Sequence, residues 1–134
     1  MKIRRRFVIL VVCVFLAGCA GRVVTLETPN SISVPQGLDQ EEIQEAIRDS
    51  MASLGWTTVD QDSQTINAEL RLRDHLAQSD IHFDEERISI EYVASENLLY
   101  TERSGEERIH RNYNHWVENL LNEIRVRLNH AAAG

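Results

Sequence analysis

Five histidines, His75, His82, His110, His115 and His130, are the side chains best suited to metal ligation or proton transfer near neutral pH. Asp80 and His82 share one face of an alternating run, and His110 and His115 bracket the start of a helical pattern. Neither set has the i, i+4 spacing or the clustered ligands of a zinc site. No metal ligand is assigned, and the histidines are read as exposed or capping. Carboxylates gather at Glu41-Glu42-Glu45, Glu85-Glu86 and Glu106-Glu107, each in a first helical turn or a loop. Solvated charge is the expectation there, because an acid–base pair needs a pocket that splits the two environments. No serine sits in a Gly-x-Ser-x-Gly turn, and the only lysine is Lys2. No catalytic residue or cofactor is therefore assigned, and the chain is read as non-enzymatic. Tyr113 and Trp116, with Tyr100, are the candidate binding residues, since aromatic faces can stack a glycan or an aromatic ligand. Tyr113 and Trp116 also lie on an apolar stripe, which favours a place in the core. Leu98, Leu99 and Tyr100 either form an exposed patch for a protein partner or tuck under the second helix.

The remaining reactive side chain is Cys19. Lys2, Arg4, Arg5 and Arg6 form a basic start, and residues 7–16 form an apolar run. The small residues Ala17 and Gly18 follow, then Cys19. This is the order of a secretory signal, and a run of ten is shorter than the roughly 20 residues that span a bilayer. Leu16-Ala17-Gly18-Cys19 resembles the lipobox of bacterial lipoproteins. The resemblance implies a diacylglycerol thioether on Cys19, removal of residues 1–18 as a signal peptide, and acylation of the new amino terminus by a fatty acid such as palmitate. Each buried CH2 stabilises attachment by about 0.8 kcal/mol, so three chains would hold the protein to the membrane. Ala20 in place of Asp implies an outer-membrane address facing the periplasm, with the inner membrane as the alternative. Cys13 would leave with the signal, so no disulfide is expected.

Charge narrows the partners. The whole chain carries −7, and the signal holds four basic residues and no acidic one. The mature part is thus more acidic still. That excludes nucleic acid, where phosphate neutralisation dominates affinity. It also leaves membrane attachment to the lipid rather than to a basic face.

The elements follow in order. Residues 19–37 carry the lipid site and read as a tether broken at Pro29 and Pro35, in which 22–26 could form a short strand, or as an edge strand against the sheet. Residues 38–134 read as a single periplasmic domain. Asp39 and Glu42 have capping-box spacing, Leu38 and Ile43 staple spacing, and Gly55 ends the first helix. Alternation then predicts strands over 56–59, 65–73, 75–83 and 87–94, with Ile66, Ala68, Leu70, Leu72, Ala77, Ser79, Ile81, Phe83, Ile88, Ile90 and Tyr92 inward. Residues 95–110 read as a connection. Residues 111–130 read as a second amphipathic helix, with Asn112 as a possible cap. The expected fold is α+β, a two-layer sandwich of a four-stranded antiparallel meander with two helices packed on one face.

The block Tyr113-Asn114-x-Trp116-Val117, preceded by Ser95-x-Asn97-Leu98-x-Tyr100, is similar to that of a family of small proteobacterial lipoproteins of unassigned function. It implies the same fold and compartment and names no activity. The functional expectation is a non-enzymatic, periplasm-facing binding or structural module of the cell envelope with an envelope protein as partner. A lipid- or glycan-binding module is the alternative, and a hydrolase a more distant one.

Overall fold

The computed structural model describes residues 21–27 and 30–134. Leu16, Ala17, Gly18 and Cys19, and with them the expected signal and lipid site, lie outside the described residues. The elements run β1 (Val23–Thr25), β2 (Asn30–Ser33), α1 (Gln40–Ser53), β3 (Trp56–Gln61), β4 (Thr65–Leu72), β5 (His75–Phe83), β6 (Arg87–Glu96), β7 (Thr101–Arg103), β8 (Glu106–His110) and α2 (Arg111–Ala133).

Local chemistry accounts for α1. The Asp39 carboxylate accepts from the Glu42 amide at 2.9 Å, and the Glu42 carboxylate accepts from the Asp39 amide at 2.9 Å. Both halves of the capping box are made, so two amides that lack helical partners are satisfied. Leu38 and Ile43 are buried beside it. The helix stops where Gly55 takes φ +83°, a left-handed conformation that a Cβ would penalise. The chain then turns directly into β3.

Two antiparallel sheets make the architecture α+β. The larger has the order β2-β6-β5-β4-β3, five strands rather than the four expected. The fifth is β2, from the segment read as either tether or edge strand; it pairs with β6 from Asn30↔Ile90 to Ser33↔Arg87. The smaller sheet, β1-β8-β7, is a second departure. Residues 95–110 are not simply a connection, because Thr101–Arg103 and Glu106–His110 form a hairpin and β1 adds to β8. Its strands are too short and too polar to show an alternation. The signal that existed was Ser104-Gly105, both at positive φ, which is hairpin-turn chemistry.

One buried cluster unites the layers. It includes Ile43 and Ile47 of α1, Ile66, Ile81, Ile88 and Ile90 of the larger sheet, Ile109 of β8, and Val117, Leu120 and Ile124 of α2. Leu26, Ile32 and Val34 belong to it as well, so the chain ahead of α1 is part of the packed unit. Among the described residues no helix is long and apolar enough to cross a membrane.

Candidate interaction face

Of the aromatic residues singled out from sequence, Tyr113 and Tyr100 come together through Tyr92, and Trp116 does not join them. Tyr113 is 1% exposed, and its hydroxyl meets the Ser79 hydroxyl at 2.8 Å. Tyr92 packs edge-on to Tyr113 with centroids 5.4 Å apart, and Tyr100 stacks on Tyr92 at 4.5 Å. The Tyr100 hydroxyl donates to the Glu107 carboxylate at 2.7 Å. That bond, together with burial and the adjacent negative charge, pushes the Tyr100 pKa up to about 12. Burial raises Tyr113 and Tyr92 as well. Trp116 stands apart from this stack, half-buried, with its ring 6.3 Å from His75. Tyr113 is thus a core residue with its polar tip satisfied. Leu98 is buried and closes the core, whereas Leu99 is 58% exposed.

The opposite face of the larger sheet is organised differently. Asn67 donates to Asp80 across the β4–β5 pair. Gln78 donates to Glu69 at 2.9 Å, and Arg71 bonds the same carboxylate at 2.7 Å. Those two donors hold Glu69 below the usual carboxylate range, the Gln78 bond contributing most. His82 bridges the Thr65 hydroxyl and the Glu91 carboxylate, each at 3.1 Å. Three cross-strand polar ladders therefore hold the side chains of this face in fixed positions. Asp80 and His82 do share a face, as the alternation requires. Among the described residues no group of three or more His, Cys, Asp or Glu is placed to hold a metal.

No known family, curated protein or solved structure matches this chain. The roles of its residues rest on their contacts.

Two exposed valines flank the ladders. The β3–β4 register slips between Thr58 and Asp60, leaving Val59 62% exposed. The β5–β6 register slips at Gln78/Ser79, leaving Val93 50% exposed. A groove of about 180 Å³ lies between them, lined also by Asn67, Gln78 and Asp80. Both valines fall on the outward face of the alternation, and each stands where a bulge leaves it without a cross-strand partner. Sequence reading did not single them out because it took the outward face as polar. The available signal was Tyr92-Val93-Ala94, three consecutive non-polar residues where a half-buried strand should alternate.

The Tyr-Asn-x-Trp-Val block resolves into separate contacts. Val117 is buried in the core. The Asn114 side-chain amide donates to the Thr25 carbonyl at 2.9 Å, and its oxygen accepts from the Glu27 amide at 3.4 Å. The 95–100 connection is held by other groups. Asn97 donates to the Asp74 carbonyl at 2.6 Å, the His110 amide donates to the Leu98 carbonyl at 2.8 Å, and His75 Nδ1 meets the Asn97 carbonyl at 2.9 Å.

Proposed function

We propose that this protein is a lipid-anchored, non-enzymatic module of the bacterial cell envelope that binds another envelope protein through the polar face of its larger sheet. The observation that carries this reading is the pairing of two exposed bulge valines with a side-chain lattice already fixed by cross-strand bonds. Fixed polar groups lose little freedom on binding, and Val59 and Val93 supply apolar area for a contact core. Both helices on one side of the sheet, as a two-layer sandwich, belong to the same reading. It is supported by the single buried cluster that α1 and α2 share with the inward strand residues, and by the exposure of the valines on the other side. Attachment at Cys19, in the outer membrane facing the periplasm or alternatively in the inner membrane, is the inference from Leu16-Ala17-Gly18-Cys19 and Ala20.

A lipid- or glycan-binding module needs an opening among the aromatic residues between helix and sheet. Trp56 and Tyr113 are buried, and Tyr92 packs directly on Tyr113, so no observation favours it. Photo-crosslinking in cells tests the proposal. A photoreactive residue at Val93 or Val59 of the lipidated protein is expected to give one discrete adduct with an envelope protein. The same residue at Val126, exposed on α2, should give none. Equal adducts from all three positions would contradict the assignment of the face.

A further inference from the structure

The strands of the larger sheet run between two ends of unlike chemistry. At one end, a chain of direct contacts joins four segments. The Arg111 amide donates to the Arg22 carbonyl at 2.8 Å, and His110 pairs with Val23. The His110 amide holds Leu98, Asn97 is bonded to the His75 ring, and that ring faces Trp116. Leu99 follows directly, and Leu72 pairs with His75 at the β4–β5 turn. Leu54 lies two residues before Trp56, which pairs with Leu70, and so reaches the same end. Leu54, Leu72 and Leu99 are three of the six large apolar side chains exposed among the described residues, at 38%, 46% and 58%. The exposed arginines here are Arg22, Arg73 and Arg111; Asp74 and Glu96 are exposed beside them, and Glu27 and Glu118 border the groove that Gly21 and Arg111 line.

The other end carries the start of α1, the β3–β4 turn and the β5–β6 turn. Gln40 donates to Ser63 and the Val34 amide to Glu86, which joins these segments. These segments expose Asp39, Glu41, Glu42, Asp62 and the run Asp84 to Glu86, with Arg87 and the Gln61-bonded Arg48 as exposed arginines nearby.

Chain length fixes where an anchor would attach. Two residue steps separate Cys19 from Gly21 and three separate it from Arg22. A chain spans at most about 3.6 Å per residue, so Cys19 lies within about 11 Å of Arg22. That is too short to lift the domain clear of a bilayer or to bring the acidic end to it.

We propose that the end bearing Leu54, Leu72, Leu99 and Trp116 rests on the lipid surface, with the acidic end directed outward. The proposal rests on Cys19 as the lipid site. Leucines at the headgroup boundary gain from leaving water, and an indole favours that interface. Arginines beside them favour anionic headgroups, and the carboxylates at the far end are repelled by the same surface. The strands then stand along the membrane normal, and the face with Val59 and Val93 opens sideways.

Spin labelling tests the orientation. With Cys13 removed and Cys19 acylated, the mature chain has no free thiol, so Leu99→Cys, Leu72→Cys and Glu85→Cys each give one label site. Each labelled full-length protein is placed in phosphatidylethanolamine–phosphatidylglycerol vesicles after its acyl mass is confirmed. Labels at 99 and 72 are expected to lose collisions with an aqueous nickel chelate several-fold on reconstitution, and the label at 85 to keep them. Acylated protein in which all three stay equally accessible overturns the orientation alone. A chain without acyl mass overturns the lipid reading and the orientation with it.

Discussion

Tyr100, Tyr92 and Tyr113 are the three tyrosines of the chain, and each has its ionisation pushed upward. For Tyr100 the hydrogen bond to Glu107 is the largest cause, and for the other two it is burial. A folded value above the unfolded one means that the native state keeps its proton while the unfolded state releases it. Stability from these hydroxyls is therefore complete below about pH 10 and declines as pH rises through the folded values. Ultraviolet titration of tyrosinate should show no tyrosine ionising at its ordinary pH. Glu107→Gln should bring Tyr100 down most and Tyr92 less, because it removes the negative charge that raises both while an acceptor oxygen remains. The residue types were legible in the sequence, and Tyr113 on the apolar stripe was correctly placeable in the core. The partner of Tyr100 was not, because Glu107 lies in a hairpin that carries no periodic signal.

At the scale of elements, α1 was readable because its start and stop depend on neighbours in sequence. The start of α2 was not. Its cap is His110, whose ring Nδ1 accepts from the Asn112 amide at 3.2 Å, where Asn112 had been the candidate. Desolvation, then His75, Arg111 and Arg22, lower the His110 pKa from 6.5. A proton on Nδ1 removes the acceptor and puts positive charge at the positive end of the helix dipole. Unfolded chain binds that proton first, so this contribution to stability is lost as pH falls from about 6.5 toward the folded value. Thermal melts between about pH 7.5 and about pH 5.5 should fall for the native protein and fall less for His110→Asn, which caps without titrating. Asp84, lowered by the Glu86 and Arg87 amides, acts in a separate and more acidic window. Asn114 makes a different prediction. Asn114→Ala strands the Thr25 carbonyl and should cost about 1–3 kcal/mol. Hydrogen exchange should then accelerate in β1 before it does in β4 or β5. Nothing local in the sequence links Asn114 to Thr25, which lies 89 residues away.

For the whole molecule, the α+β class followed from a change of period between two helical patterns. The number of strands did not, because β2 and β1 are short, and only pairing with β6 and β8 makes them strands. Those pairings also put the chain from Val23 onward into the folded unit, where a tether to residue 37 was one of the readings of the sequence. Burial of Leu26, Ile32 and Val34 ties that segment down. Leu26→Ala should cost about 2–5 kcal/mol in denaturant unfolding if this segment is core, and almost nothing if it is a loose tether. The proposed placement, an acidic domain held close to a lipid surface with a sheet face sideways, depends above all on its attachment. The most direct test is the intact mass and membrane fractionation of the native chain beside Cys19→Ser. A mature chain beginning at Cys19, carrying acyl mass and sedimenting with membranes, with the serine form released, is the expected result. An unmodified Cys19, or a serine form that fractionates unchanged, would contradict the lipid anchor on which the envelope function rests.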